Sequence, residues 1–324
     1  MPIIEKSSYP APPPFQFNGH LQTILPALTR KVEVPYERER LELPDGDFLD
    51  LDWIDQKSKK LAILSHGLEG NSDRHYMKGM GSFFQQQNWD VLAWNCRSCS
   101  GEMNRKPRLY NHGEIEDIAE VIRHALSTKH YAQIVLIGFS MVGSILLKYL
   151  GVHGNEIPSA IVAGVAFSSP CDLKASVEAL EEPHNFIYRR RFAKSLRLKV
   201  EQKAEQFPGI VNLENFDRIK RWQDFDDYFS APLNGYKDAA DFYEKASAKN
   251  YMQGIQVPAL LVNAKNDPIL KPECSPARLC EKHPHVYLEQ PERGGHVGFS
   301  LSRKPFAWSE FRAFQFVEKA INRN

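Results

Sequence analysis

No stretch of this chain approaches the roughly 18 consecutive apolar residues of a membrane-spanning helix, which argues against an integral membrane protein. The opening MPIIEKSSYPAPPPFQF has no basic start, apolar run and small-residue cleavage site, so a secretory leader is not expected. An excess of charge of either sign is also lacking: 41 basic and 40 acidic side chains leave a net charge of +1. Such a balance supplies no general attraction to nucleic acid or to an anionic membrane. Cysteine is sparse. Cys96, Cys99, Cys171, Cys274 and Cys280 are odd in number and scattered, which suits no disulfide framework and fits a reducing, cytoplasmic setting. There is no H-E-x-x-H, and no second pair completes Cys96-x-x-Cys99 as a zinc or redox site, so neither a metal nor an organic cofactor is expected. Internal repeats are missing too, as is low complexity beyond Pro12-Pro13-Pro14.

What is present is core-building material. Over 324 residues, 42% are hydrophobic and 25% charged, enough for one large α/β domain with an insertion. The Pro-rich residues 1–30 read as an extended arm packed on the surface. Residues 32–55 alternate in polarity around Pro44-Asp45-Gly46, as antiparallel edge strands do. The rhythm then changes to short apolar runs: LAILS (61–65), DVLAWN (90–95), QIVLIGF (133–139), IVAGVAF (161–167), ALLVNA (259–264) and HVYLEQ (285–290). Helical patterns lie at 73–87, 114–128, 141–150, 275–282 and 306–321. Strands apolar on both faces and alternating with helices indicate a parallel sheet covered on both sides. The gap from Phe167 to Ala259 is too long for a single crossover, so 170–250 is assigned to a helical cap, with the core at 31–169 and 251–324.

The run IVLIGF-Ser140-MVGSILLKYL is a buried strand, a serine and a helix. A serine on so sharp a turn is pushed out of the sheet's carboxyl edge, with the next backbone N–H, that of Met141, and the helix dipole facing any oxyanion that develops there. The bland alternative is a serine capping the helix. Gly138 supplies one of the small neighbours this turn needs, but Val142 stands where a second is usual, and glycine comes one place later, at Gly143. Either the surroundings of Val142 are small or the turn is rearranged. For a serine so placed, an acid and then a histidine follow in chain order. Asp267, in Lys265-Asn266-Asp267-Pro268 just past a strand, is the acid favoured over a turn-capping role, with Asp172 a weaker rival. His296, in the glycine-rich Gly294-Gly295-His296-Val297-Gly298-Phe299, is the histidine that follows both. His283 and His285 sit at the wrong end of the last strand and read as surface residues. After LAILS, His66-Gly67-Leu68-Glu69-Gly70 offers the Leu68 N–H as a second oxyanion donor, with His66 ordering the loop.

Arg189–Val200 is basic, with Phe192, Leu196, Val200 and Phe207 at helical spacing. Docking on a lipid surface is weighed against a cap helix with a solvated basic face, and the second reading is adopted. Val177, Leu180, Phe186 and Tyr188 are candidates for apolar lining that would suit an acyl chain.

Taken together, Gly19-His20-Leu21-Gln22-Thr23-Ile24, His66-Gly67-Leu68-Glu69-Gly70, Asn95-Cys96-Arg97, Gly138-Phe139-Ser140, Asp226 to Pro232, Asp267-Pro268 and Gly294 to Phe299 are similar to the YheT-type family of the α/β-hydrolase superfamily, over nearly the whole chain. The resemblance implies an α/β-hydrolase fold, a mostly parallel sheet of about eight strands flanked by helices with a helical cap inserted after the sixth. It also implies a hydrolase of carboxylic esters, with Ser140, Asp267 and His296 as its triad and a small-molecule ester as its partner. The chain departs from the family at Val142, where glycine is usual, and at Asn266, where an acid is common. Two other functions remain open beside the esterase: an acyltransferase using the same three residues, and a binding protein silenced by Val142.

Overall fold

The computed structural model describes residues 3–322, so Met1, Pro2, Arg323 and Asn324, the outermost parts of the expected arm and core, lie outside the described residues. Nine strands form one sheet: β1 (Ile3–Ile4), β2 (Glu37–Glu42), β3 (Phe48–Ile54), β4 (Lys60–Ser65), β5 (Asp90–Trp94), β6 (Gln133–Phe139), β7 (Ile161–Phe167), β8 (Ala259–Val262) and β9 (Val286–Glu289). Their order is β1-β9-β8-β7-β6-β4-β5-β3-β2, parallel except where β3 meets β5 and β2 meets β3. The helices are α1 (Gly19–Thr29), α2 (His75–Gln86), α3 (Glu116–Thr128), α4 (Met141–His153), α5 (Leu173–Glu181), α6 (Phe186–Gln206), α7 (Glu214–Asp217), α8 (Trp222–Phe225), α9 (Ala239–Ala246), α10 (Ala277–Lys282) and α11 (Trp308–Ile321).

The apolar runs form strands because both of their faces are covered. Successive side chains point to opposite faces. Leu61, Ile63, Ile134 and Leu136 join the core under α3 and α4, while Ala62, Leu64, Val135 and Ile137 join the core under α2 and α11. The parallel register aligns the carboxyl ends of five strands. Ser65 lies opposite Gly138, Gly138 opposite Ala166, Phe167 opposite Val262, and Val262 opposite Glu289. Every loop that leaves those ends therefore emerges at one rim.

Two features of the first 30 residues differ from an extended arm. Ile3–Ile4 pairs in parallel with Leu288–Glu289 and adds the ninth strand. Gly19–Thr29 is a helix, started by the Asn18 side chain, which accepts from the Leu21 N–H at 2.9 Å. Pro26 lies inside it and removes one helical N–H, which is why the segment lacks a clear helical signal.

Between β7 and β8 the chain adds no strand. Helices α5 to α9 build a cluster of their own from Leu173, Val177, Leu180, Leu196, Val200, Trp222, Phe225 and Phe242. In α6 the buried stripe is Tyr188, Leu196, Val200 and Lys203, with Arg190 and Arg191 exposed. Among the described residues no helix is long and apolar enough to cross a membrane.

Candidate active site

Ser140 stands between β6 and α4 with φ 52° and ψ −123°, a conformation that costs a non-glycine residue roughly 1–3 kcal/mol. Its N–H donates to the Phe167 carbonyl of β7 at 2.8 Å, which holds the strained turn against the sheet. The close approach of strand to helix falls on Gly138 and Gly143. A Cβ on Gly138 would lie 2.7 Å from the Gly143 Cα, and one on Gly143 would lie 2.1 Å from the Ser169 Oγ. Val142 points elsewhere, fully buried in the core beside Ile145 and Leu146. The second glycine that this turn requires is thus Gly143, and Val142 needs no small partner.

Asp267 follows β8 in a turn closed by its own N–H on the Ala264 carbonyl at 3.1 Å. The side chain is buried; one oxygen accepts from the Ile269 N–H at 3.0 Å, and the other meets His296 Nδ1 at 2.8 Å. His296 Nε2 lies 2.8 Å from the Ser140 Oγ. The chain of contacts therefore runs acid, imidazole, hydroxyl, with the imidazole 12% exposed and the acid closed off. The weaker rival, Asp172, is engaged elsewhere: it caps α5 by accepting from the Ala175 N–H at 3.1 Å and pairs with Lys249.

Beyond β4, the loop 66–70 lies against the serine, close enough that a Cβ on Gly67 would stand 2.9 Å from the Ser140 Cβ. His66 is fully buried; its Nε2 accepts from the Cys96 N–H at 3.0 Å, so Nδ1 carries the proton and donates to the Gly67 carbonyl at 2.8 Å. Burial pushes its pKa down to about 4, so the ring is neutral and holds the loop. The N–H groups of Leu68 and Met141 have no acceptor among the described residues. Leu68 and Met141 line the same pocket as Ser140, Met141 directly after it in the chain and Leu68 directly after Gly67, on which a Cβ would stand 3.4 Å from the Ser140 Oγ.

Leu109, Met141, Leu173, Val177, Leu180, Leu196, Trp222, Phe225 and Ile269 line an apolar pocket that opens on Ser140 and His296. Val177 and Leu180 stand in its wall. Phe186, a candidate for the same wall, is instead 53% exposed at the start of α6, and Tyr188 faces a second cleft, between α1, α6 and the 67–70 loop. The apolar pocket also holds a carboxyl, Asp226, which accepts from the Tyr243 hydroxyl at 2.8 Å. Burial raises its pKa to about 7.

Some contacts around these residues were not legible in the sequence. Glu69 binds the Lys199 ammonium of α6 at 2.7 Å and accepts from the Tyr110 hydroxyl at 2.5 Å. Burial pushes the Glu69 carboxyl up, but Lys199, Ser195 and Tyr110 outweigh it and hold it below the usual range. Thr23 accepts from the His296 N–H at 2.8 Å, and Ser168 from the Val297 N–H at 2.9 Å. Only the Gly19–Ile24 motif hinted at this support. His283, read as a surface residue, is buried, because its Nδ1 accepts from both the His285 and Val286 N–H groups at 3.1 Å; His285 is half-buried. Cys96 and Cys99 are free thiols in the core.

Residues 63–302 match the family of the alpha/beta hydrolase fold. The chain belongs to that family. Within it, this α/β-hydrolase is 34% identical over 310 residues to "Putative esterase YheT" of Escherichia coli (strain K12), covering 91% of this chain and 88% of that one, and so falls in the YheT-type branch. It is 28% identical over 309 residues to the phospholipase ABHD3 of Mus musculus, covering 92% of this chain and 74% of that one. Among solved structures, an esterase of Pyrococcus furiosus, Pf2001, superposes with a TM-score of 0.60 at 21% identity, covering 92% of this α/β-hydrolase and 93% of the other chain. That last likeness speaks for the fold alone.

Proposed function

We propose that this α/β-hydrolase cleaves carboxylic esters with short- to medium-chain or lipid-like acyl groups through a serine acyl-enzyme. The observation that carries the reading is the unbroken contact path from Asp267 through His296 to Ser140, with two unused backbone N–H groups beside the serine. His296 takes the proton of Ser140 as the oxygen attacks the ester carbonyl. Asp267 holds the imidazole in the right tautomer and steadies its charge. The Leu68 and Met141 N–H groups receive the oxyanion, each such donor being worth about 3 kcal/mol in other hydrolases. His296 then returns its proton to the leaving alcohol, and water activated by the same ring releases the acid. Neither a metal nor an organic cofactor enters these steps.

The names of the relatives, an esterase and a phospholipase, support an ester substrate. The apolar pocket under α5, α6 and α8 supports an acyl chain and a role for residues 170–250 as its cap. The cytoplasmic setting rests on the cysteines, all five of which are buried free thiols.

A fluorophosphonate probe tests the nucleophile. Labelling should be lost in Ser140→Ala and kept in Ser144→Ala, whose native hydroxyl is buried on the Pro170 carbonyl at 3.0 Å. A wild-type protein that takes no label would point instead to a silent binding protein. A panel of p-nitrophenyl esters of increasing length then reads the acyl preference.

A further inference from the structure

We infer that Gln22 of α1 is the positioning residue that locks the acid loop and the histidine loop to each other. The inference rests on the proposed roles of Asp267 and His296. Gln22 is 1% exposed, and its Oε1 accepts from two donors on separate loops: the Asn266 Nδ2 at 2.9 Å and the Gly294 N–H at 2.8 Å. Its Nε2 donates to the Gln16 carbonyl at 2.7 Å. Asn266 completes the link, for its Oδ1 accepts from the Gly295 N–H at 3.1 Å. Backbone donors thus fix the orientation of both amides. Asn266 immediately precedes the acid, and Gly294 lies two residues before the histidine.

The surrounding chain is shaped for this contact. A Cβ on Gly19 would stand 2.1 Å from the Asn266 carbonyl oxygen, and one on Gly298 would stand 2.1 Å from the Gln22 carbonyl oxygen. These approaches seat α1 between the two loops. The triad contacts between Asp267 and His296 join side chains only, and side chains on two separate loops hold a reacting geometry only as well as the loops are held. One buried amide oxygen with two lone pairs can satisfy both loops at once. Leucine has the volume but no acceptor and would leave the Gly294 N–H buried without a partner and release the half-buried Asn266 Nδ2. Gln22 lies outside residues 63–302, the part that matches the general family, so the lock is supplied by a helix that precedes the matched region.

The full-length chain tests this through kcat and KM on a p-nitrophenyl ester, with active sites counted by a fluorophosphonate burst. In Gln22→Leu, kcat per titrated site should fall roughly 10- to 100-fold while KM stays within about twofold, since substrate contacts are untouched. Gln22→Glu, protonated in this buried position, keeps an oxygen for both donors and an O–H for the Gln16 carbonyl, and should regain most of the rate. A Gln22→Leu protein that turns over at the wild-type rate per titrated site overturns the inference, as does a Gln22→Glu protein as slow as Gln22→Leu. Should Gln22→Leu fail to fold, Asn266→Ala, which removes both the donor to Gln22 and the acceptor of the Gly295 N–H, must show the same kcat-selective loss or the lock falls. Full activity in Ser140→Ala would sink the triad reading itself, a failure that none of these variants can mimic.

Discussion

Ser140, Asp267 and His296 stand at the ends of β6, β8 and β9, strands whose backbones are hydrogen-bonded to neighbours on both sides. The helices between β7 and β8 have no such ladder, and they meet the rest of the molecule through side chains such as Lys199 on Glu69. The rim tolerates strain, as at Ser140, because the sheet over-determines it. The helical segment instead encloses an apolar pocket with a carboxyl, Asp226, that titrates near neutrality. From this contrast, chemistry should belong to the rim, and chain-length choice and pH-dependent stability to the helices.

The largest effect should come from the rim. Ser140→Ala, His296→Ala and Asp267→Asn are each expected to lower kcat by about 10⁴-fold without lowering the melting temperature. A His296→Ala protein near the wild-type rate would break the comparison at its strongest point. Next comes a pH effect confined to the helices. The folded-state pKa of Asp226, about 7, lies above the unfolded value of 3.8, so the native state holds the extra proton between them. Stability therefore falls as pH rises from about 4 to about 7, by on the order of 4 kcal/mol, and is level above that. Asp226→Asn should remove this slope in chemical denaturation and be the more stable protein at pH 8; an unchanged slope would refute the assignment.

A smaller effect separates Gly143 from Val142. Gly143→Ala places a methyl 2.1 Å from the Ser169 Oγ, and the overpacking should cost about 1–3 kcal/mol of stability. Val142→Gly should not improve the turn and should destabilise the protein through lost packing, a difference that thermal melts of both variants would reveal. The smallest change sharpens the role of the pocket. Leu180→Trp should narrow it, so that kcat/KM for a long-chain ester drops about tenfold while a short-chain ester is little affected. Equal losses on both esters would mean that Leu180 does not sense the chain.

Much of the sheet was legible because its strands are buried on both faces and so read as unbroken apolar runs between helical patterns. Ile3–Ile4 was not, since two residues have no periodicity and become a strand only by pairing with Leu288–Glu289. The helix Gly19–Thr29 was hidden by Pro26. His283 was misread because nothing local shows that the Val286 backbone will fold back onto its ring. At the serine turn, the order of Gly138, Ser140 and Gly143 was visible, but which glycine faces which depends on how β6 meets α4.

By itself, the chain determined the alternation of strand and helix, the order of serine, acid and histidine, and the small residues at the turn, because these follow from local periodicity and from the connection rules of a parallel sheet. Only tertiary structure decided that residues 140, 267 and 296 touch, that Gln22 joins two of their loops, and that Phe186 faces water while Val177 and Leu180 line the pocket. The physical reason is range: hydrophobic periodicity acts over one or two turns, whereas a contact between residues more than a hundred positions apart is set by sheet register and by the packing of helices that no local pattern encodes.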